Sequence, residues 1–429
     1  MGTGVLTAAF TRQGGVLCAE GVPLDAIARA TDTPAFVYSA AHVRDQYGAL
    51  DRALEGAPHR IHYSLKANAS RGILSVLRAL GSGADVVSGG ELFRAVRAGF
   101  TPADIVFGGV GKSAREIEEG VAAGVKLFNV ESIAELEYAD AVARSLGRTV
   151  NVGLRVNPEV AVESAHQYTK TGEKGHKFGI PFDEVAAAVR TALSRKHTRL
   201  RGIVMHVGSQ LRSLDAHRAG VERLLGLVSD ARAAGAADLA YLDVGGGLPV
   251  RYDSEDVADL AGFGDIVRDA ATRSGLEILI EPGRFLVANA GILLTRVLYR
   301  KRSGGTDYVV VDAGMTELLR PSHYDAYHRI DVVGPRPGSD VVADIVGPVC
   351  ESGDFLARSR SLPDVQPGDL LAVHSVGAYG FVMASHYNAR PHAAEVLVDG
   401  DKWALATARE TYADLVRNER AHLDWRKAT

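Results

Sequence analysis

Cysteine is scarce in this chain of 429 residues, and long apolar runs are absent. The two cysteines, Cys18 and Cys350, lie far apart, so a disulfide is poorly supported and a reducing compartment is the simpler interpretation. No stretch reaches the roughly eighteen apolar residues that a membrane-spanning helix needs. The first residues also lack the basic, apolar and small-residue order of a secretory signal. These absences predict a cytoplasmic protein.

A strong charge of either sign is absent as well. The 48 basic and 52 acidic residues leave a net charge of −4, and the pI is about 6.4. We therefore expect no nucleic-acid partner and no anionic-membrane partner. The remaining composition, 46% hydrophobic and 23% charged, is typical of a globular enzyme, and the length indicates two or three domains.

Short β-rich runs alternate with helix-like segments over the first two thirds of the chain. The eight runs are Ile61–Leu65, Ala84–Ser88, Ile105–Gly109, Lys126–Val130, Val150–Val156, Gly202–Val207, Tyr241–Val244 and Leu276–Ile280. Strands that alternate with helices predict parallel βαβ units. Eight such units predict a (β/α)8 TIM barrel over residues 40–288, with a doubly wound open sheet as the competing fold.

The pattern changes after about residue 290, where strands follow one another with few helices between them. The runs are Ile292–Tyr299, Tyr308–Asp312, Val341–Val346, Leu370–Val376 and Glu395–Val398. Glycine and proline separate them, which is typical of an antiparallel sheet. We expect a second, mostly antiparallel β domain built from residues 289–429 together with residues 1–39, which include the strand-like run Ala35–Ser39.

Reactive side chains stand at the ends of six of the eight predicted barrel strands or within them. They are Lys66, Asp85, Asn157, His206 with Ser209, Gly245–Gly247, and the segment Glu281, Pro282, Gly283 and Arg284. Because active sites of such barrels lie at the carboxyl ends of the strands, these residues are expected to meet at one mouth.

The triple glycine Gly245, Gly246 and Gly247 would let backbone N–H groups approach a phosphate without side-chain obstruction. A tight turn between strand and helix is the structural alternative. Phosphate sites in these barrels are often formed after strands seven and eight, which favours the phosphate interpretation. The spacing does not match a dinucleotide-binding glycine motif, so a dinucleotide is rejected.

Lys66, Glu281 and His206 each have a functional and a structural interpretation. Burial is expected to lower the pKa of Lys66, which suits a lysine that forms a Schiff base, although a lysine can also extend from a strand end to solvent. Glu281 could keep a pyridine nitrogen protonated, or could simply pair with Arg284. His206 could stack on an aromatic cofactor, or could be an ordinary core histidine.

The predicted β domain carries further candidates. Cys350, between glycines and next to Glu351, could donate a proton from an exposed loop, or could be a core cysteine. Arg320 with Tyr324 could bind a carboxylate through the bidentate guanidinium. Tyr379, flanked by glycines, could place its hydroxyl at the mouth.

Taken in order, these motifs resemble the diaminopimelate decarboxylases of the alanine-racemase-like, fold-type III group that uses pyridoxal 5'-phosphate (PLP). The motifs are Tyr63–Asn68, Asp85–Leu92, Phe128–Ser132, Leu154–Pro158, Lys177–Ile180, His206–Gln210, Gly245–Gly247, Glu281–Arg284, Val311–Met315, Cys350–Asp354 and Tyr379. The resemblance extends from Gly15 to about Gly400.

The resemblance implies a role for each matching residue. PLP would be bound by Lys66, Asp85, His206, Ser209, Gly245, Gly246, Gly247, Glu281, Pro282, Gly283, Arg284 and Tyr379. The substrate would be bound by Arg284, Arg320, Tyr324, Glu351 and Tyr379. Lys66 would hold PLP covalently, His206 would stack on its ring and Cys350 would donate the proton. No metal is implied.

The implied reaction is decarboxylation of meso-2,6-diaminopimelate to L-lysine and CO2, the last step of lysine biosynthesis. A homodimer is implied too, in which Cys350 and Glu351 enter the neighbouring subunit's barrel. The loop at 160–172 is one residue longer than the family pattern. Val207, Pro249 and His323 stand where that pattern has other residue types.

Other functions stay open at this point. The loop at 160–172 leaves room for a decarboxylase of another amino acid or of a carrier-bound glutamyl group. An alanine-racemase type of enzyme is disfavoured, because that branch has arginine where Glu281 stands. A non-catalytic homologue would be expected to lack Lys66, Cys350 or the glycines, and all are present.

Overall fold

The computed structural model describes residues 9–161, 172, 175–255, 257 and 259–426. The chain forms two compact units. The barrel unit contains Ser39–Gly291 and Ser375–Val382, and the β unit contains Phe10–Tyr38, Ile292–His374 and the chain from Met383 onward. The segment Ser375–Val382, which carries Tyr379, was expected in the β domain but groups with the barrel.

Eight parallel strands close into a barrel, as predicted. The four strands before it are β1 (Phe10–Gln13), β2 (Val16–Ala19), β3 (Val22–Pro23) and β4 (Ala35–Ser39). The barrel strands are β5 (His59–Ser64), β6 (Gly83–Val86), β7 (Ile105–Phe107), β8 (Leu127–Val130), β9 (Val150–Arg155), β10 (Thr198–Val204), β11 (Tyr241–Asp243) and β12 (Glu277–Ile280). Pairing of β12 with β5 completes the closure and excludes the open sheet.

Helices follow the barrel strands. Those of the described chain are α1 (Leu24–Thr31), α2 (Ala40–Ala53), α3 (Arg71–Ala79), α4 (Gly89–Ala98), α5 (Ala114–Ala123), α6 (Ile133–Ser145), α7 (Val185–Ser194), α8 (Asp215–Ala233), α9 (Leu260–Ser274), α10 (Arg284–Val287), α11 (Arg320–Tyr324) and α12 (Tyr412–Leu415). Within this set, no helix is long and apolar enough to cross a membrane.

Local sequence explains where these helices begin and end. Ser88 and Ser132 accept a hydrogen bond from the backbone of the first turn of α4 and α6, and Ser113 completes a capping box with Glu116 at α5. Gly99 ends α4 in the left-handed conformation that glycine adopts without strain. Val106, Leu127 and Leu279, from three of the barrel strands, form a fully buried apolar cluster.

The β unit is a mostly antiparallel sheet, as predicted. Its later strands are β13 (Gly291–Ser303), β14 (Thr306–Val311), β15 (Ile330–Val332), β16 (Asp340–Val346), β17 (Phe355–Pro363), β18 (Leu370–His374), β19 (Ala394–Asp399) and β20 (Lys402–Thr407). The strand order is β17-β16-β14-β13-β4-β19-β20, with β18 pairing β13 and β15. The expectation that Ala35–Ser39 joins this sheet is therefore confirmed.

Candidate active site

Lys66 lies in a short 3-10 turn, Leu65–Ala67, directly after β5. Its Nζ is 3.8 Å from Oδ2 of the buried Asp85 in β6, and the Lys66 side chain is 37% exposed. Ser64 Oγ donates a hydrogen bond to the same Asp85 oxygen. The amine thus stands at the carboxyl end of the barrel, beside a fixed negative charge.

The expectation of a lowered pKa for Lys66 was wrong. Burial does lower the pKa of Lys66, but the nearby Asp85, Tyr379 and Glu281 together raise it above its usual value. Because an adjacent carboxylate favours the charged amine, Asp85 holds Lys66 protonated in this arrangement. The sequence-based expectation considered burial alone.

Two buried carboxyl groups lie together at the ends of β11 and β12. Glu281 follows β12, and its Oε1 accepts a hydrogen bond from Asn129 Nδ2 at 3.3 Å. Asp243, the last residue of β11, is fully buried and accepts a hydrogen bond from the Gly245 N–H at 2.9 Å. Each of these two carboxyl groups is close enough to shift the pKa of the other.

Burial and mutual proximity shift the pKa of both acids. Burial and then the charge of Asp243 raise the pKa of Glu281 well above its usual value. Burial likewise raises the pKa of Asp243 to about 7. Since two adjacent buried carboxylates disfavour each other's ionised form, burial and this proximity both favour the protonated form of Glu281.

The triple glycine adopts a conformation that other residues could not easily adopt. Gly245 and Gly247 have φ values of +71° and +94°, in the left-handed region. A Cβ at Gly246 would collide with the carbonyl oxygen of Glu281, and one at Gly247 would lie 2.6 Å from the carbonyl oxygen of Gly208. The loop therefore needs glycine for close backbone approach as well as for conformation.

His206, which follows β10, is oriented by this loop. The Gly246 N–H donates a hydrogen bond to His206 Nδ1 at 3.2 Å. Burial, and then the positive charges of Lys66 and Arg155, lower the pKa of His206 well below its usual value. The ring is therefore neutral at physiological pH, with Nδ1 as an acceptor.

Arg284 places a positively charged guanidinium group beside the glycines. Its guanidinium donates to Tyr252 Oη at 2.6 Å and to Ser209 Oγ at 3.2 Å. It also lies 4.8 Å from the centre of the Tyr379 ring. The Tyr379 N–H donates to the Ala67 carbonyl at 2.8 Å, so Tyr379 is tied to the Lys66 turn.

These groups line one cavity of about 320 Å³ that opens to solvent. Its walls are Ser64, Lys66, His206, Ser209, Gly247, Leu248, Glu281, Gly283, Arg284 and Tyr379. The donor set fits PLP: an arginine, a hydroxyl and side-chain-free backbone suit its phosphate, an amine suits its aldehyde, and a buried carboxyl suits its pyridine nitrogen. Most predicted barrel residues are therefore brought together.

The remaining predicted residues lie in the β unit. Cys350 and Glu351 are exposed on the loop after β16, which rules out the core-cysteine interpretation. Asp354 holds this loop, because its two oxygens accept from the backbone N–H groups of Met315 and Val349, each at 2.6 Å. The loop presents the thiol on a fixed backbone.

Arg320, in α11 of the same unit, is buried and held by a histidine. Its Nη1 lies 3.0 Å from His328 Nε2, and His328 Nδ1 lies 2.8 Å from the carbonyl oxygen of His374. Because Nδ1 donates to that carbonyl, Nε2 is left to accept from Arg320. Tyr324, at the end of α11, is half-buried.

Some site residues were not predicted from the sequence. Asp243 and Ser64 end barrel strands, which was a usable signal. Tyr252 and Asn129 gave no usable signal in the local sequence, because their roles depend on which loops and strands become neighbours. The proposal that the loop at 160–172 decides the substrate falls mostly on residues 162–171, which lie outside the described residues.

Comparison with known proteins agrees with this geometry. Residues 40–288 match the family described as "Pyridoxal-dependent decarboxylase, pyridoxal binding domain". A diaminopimelate decarboxylase of Pseudomonas aeruginosa is 46% identical over 410 residues, which are 96% of this chain and 98% of that protein.

Two solved structures are similar over nearly their whole length. The Helicobacter pylori diaminopimelate decarboxylase complexed with L-lysine is 38% identical, with a TM-score of 0.89, covering 92% of this chain and 99% of that one. The M. jannaschii diaminopimelate decarboxylase with L-lysine is 33% identical, with a TM-score of 0.92, covering 97% and 99%. The chain therefore belongs to the pyridoxal-dependent decarboxylases, in the diaminopimelate decarboxylase family.

Proposed function

We propose that this chain removes the D-configured α-carboxylate of meso-2,6-diaminopimelate, giving L-lysine and CO2 as the last step of lysine biosynthesis. The observation that carries the proposal is the cavity in which Lys66, Glu281, Gly247 and Arg284 meet. The names and bound L-lysine of the related structures support the choice of substrate.

The barrel residues are assigned to the cofactor. Lys66 would bind PLP covalently, and His206, neutral because of burial, would pack against its ring. Ser209, Gly245, Gly246, Gly247 and Arg284 would bind the phosphate, with Pro282 and Gly283 shaping that turn. Glu281 would face the pyridine nitrogen, Asp85 would orient Lys66, and Tyr379 would complete the site. In this assignment residues 40–288 form the PLP-binding domain, and residues 1–39 with 289–429 supply substrate-binding and catalytic residues.

Each residue contributes binding, orientation or proton movement to the reaction. PLP, when bound, supplies an electron sink for the electron pair left on Cα as CO2 departs. Glu281 would face the pyridine nitrogen and, when ionised, would favour the protonated ring. Cys350 would donate a proton to Cα, and Lys66 would hold the cofactor between turnovers.

The substrate's distal amino-acid group is assigned to Arg284, Arg320, Tyr324, Glu351 and Tyr379. Arg320 suits a carboxylate, because His328 holds its guanidinium in one orientation. Glu351 suits the distal ammonium group. A substrate without a distal carboxylate would lack the charge-assisted hydrogen bonds that Arg320 can donate, which disfavours it.

We further propose a homodimer with shared active sites. Cys350 and Glu351 are exposed on a loop whose backbone is fixed by Asp354, which suits a donor that acts in a neighbouring subunit. The enzyme is assigned to the cytoplasm, where a reducing milieu preserves Cys350, since both cysteines are free thiols.

Mixing two inactive variants tests the shared sites. Lys66→Ala and Cys350→Ala should each be inactive alone. After subunit exchange, half of the dimers would be mixed and each would contain one intact site, so about a quarter of the wild-type activity should return. Mass spectrometry verifies that exchange occurred; absence of recovery in an exchanged sample would contradict shared sites.

Product analysis tests the reaction itself. Incubation with meso-diaminopimelate should release one CO2 for each L-lysine formed, and the L,L isomer should not be consumed because it has no D-configured centre. Lysine without equivalent CO2, or equal consumption of the L,L isomer, would refute the proposed reaction.

A further inference from the structure

Two histidines and a glutamate of the β unit converge on one point, and none has a role in the reaction above. His386 Nε2 lies 2.6 Å from Glu410 Oε2, and His392 Nδ1 lies 3.1 Å from the same oxygen. The ligand-type atoms of all three residues lie within 4.8 Å of one another. The two imidazole rings face each other, with centroids 3.9 Å apart and planes tilted by 35°.

Backbone structure holds this cluster in place. The β19–β20 hairpin pairs Glu395 with Thr407, and His392 and Glu410 stand three residues beyond that pair on either strand. The Glu410 N–H donates to the His392 carbonyl at 3.2 Å, and the His392 N–H donates to Glu410 Oε2 at 3.0 Å. His386 approaches from the residue before a separate 3-10 turn. Three chain segments therefore meet at the carboxylate.

We propose that His386, His392 and Glu410 form a binding site for a divalent transition-metal ion, best matched by Zn²⁺. Two imidazoles and one carboxylate are a ligand set that binds zinc, with the fourth position left to water. Ligand atoms about 2.0–2.1 Å from a tetrahedral ion lie roughly 3.3 Å apart. The present separations of 2.6 and 3.1 Å from Glu410 Oε2 would need to open by roughly 0.7 and 0.2 Å, respectively.

Charge and access suit a metal. Burial raises the pKa of Glu410, but hydrogen bonds from the His392 backbone and from His386 outweigh this, so the net pKa is lowered and the carboxylate is ionised at neutral pH. The side chains of His386 and Glu410 are 46% and 29% exposed, so an ion can enter from solvent while the ligands stay oriented.

The site adjoins the loop that carries Cys350. Tyr387 and Asn388 follow His386 directly. Tyr387 hydrogen-bonds to Glu351, and Asn388 Oδ1 accepts from the Cys350 N–H at 2.9 Å. A metal bound at His386 would stabilise the turn on which the Cys350 loop rests. This consequence for turnover depends on the proposed proton-donor role of Cys350, whereas the metal site itself does not.

Calorimetric titration of the PLP-loaded enzyme with zinc chloride tests the site. We expect one zinc ion per chain and at least about tenfold weaker binding in His386→Ala and in Glu410→Gln. His59→Ala is the matched control, because His59 pairs with a single carboxylate, Asp51, at 3.1 Å and should not hold a metal. Its zinc affinity should equal that of the wild type.

Three results would overturn the proposal: no saturable zinc binding to the wild type, unchanged affinity in both ligand variants, or loss of binding in Cys350→Ser in place of His386→Ala. Circular dichroism and retained cofactor absorbance establish that each variant is folded. Because binding is measured without turnover, the result stands whether or not the proposed decarboxylation is correct.

Discussion

Replacing Lys66 with alanine is expected to abolish decarboxylation and to remove the absorption band of lysine-bound PLP. The loss of turnover should be at least about 10⁴-fold, as for other residues that form a covalent bond in catalysis. Lys66 supplies an amine that lines the cavity, 3.8 Å from the Asp85 carboxylate. Alanine leaves the cavity intact but leaves the cofactor without a covalent anchor.

Lys126→Ala is the matched control for that variant. Lys126 directly precedes β8, at the amino end of a barrel strand, and its ammonium lies 4.9 Å from the Tyr241 ring. Its removal should leave both the absorption band and turnover close to wild type. If Lys66→Ala kept the band or turned over substrate at the wild-type rate, Lys66 would not be the anchor.

Glu281→Gln is expected to lower turnover by about 10²- to 10³-fold while PLP stays bound. Glutamine keeps the shape of the side chain but cannot carry charge. The other acid of the pair, Asp243, cannot replace it there, because it is not among the cavity-lining residues. The electron sink would be weakened because no carboxylate faces the pyridine nitrogen.

Glu277→Gln provides the comparison for this second variant. Glu277 begins the same strand, β12, at its opposite end, where it pairs with Arg60. The Glu277→Gln variant should turn over substrate at the wild-type rate. Measurement of kcat, together with cofactor absorbance after desalting, distinguishes a loss of turnover from a loss of bound PLP. A kcat within twofold of wild type in Glu281→Gln would refute the role of Glu281.

The barrel was predictable because its strands are buried on both faces. Runs such as Ile105–Phe107 and Leu127–Val130 are continuously apolar or nearly so, which makes them visible without knowledge of their partners. β17 was missed for the opposite reason. Its residues alternate between buried positions such as Leu356 and exposed arginines and serines, and it lacks a continuous apolar run. β20 was not predicted either, because it is mostly exposed and has no buried apolar run.

The candidate active site likewise contains residues that the local sequence reveals and features that it does not. Lys66, His206 and Glu281 were predictable because each follows an apolar strand, and strand ends of a barrel share one face. The proximity of Asp243 to Glu281 was not, since it depends on the register that sets Asp243 beside Leu279 on the next strand. The raised pKa of Lys66 also depends on neighbours that no local pattern reveals.

The most direct test of this account is kcat/KM for CO2 release from a panel of meso-diaminopimelate, L-lysine, L-ornithine and L-arginine, with PLP-loaded enzyme. We predict that meso-diaminopimelate exceeds each of the others by at least about 10³-fold, because only it has a distal carboxylate for the substrate-binding role proposed for Arg320. Equal or faster release from L-lysine, L-ornithine or L-arginine would contradict the account.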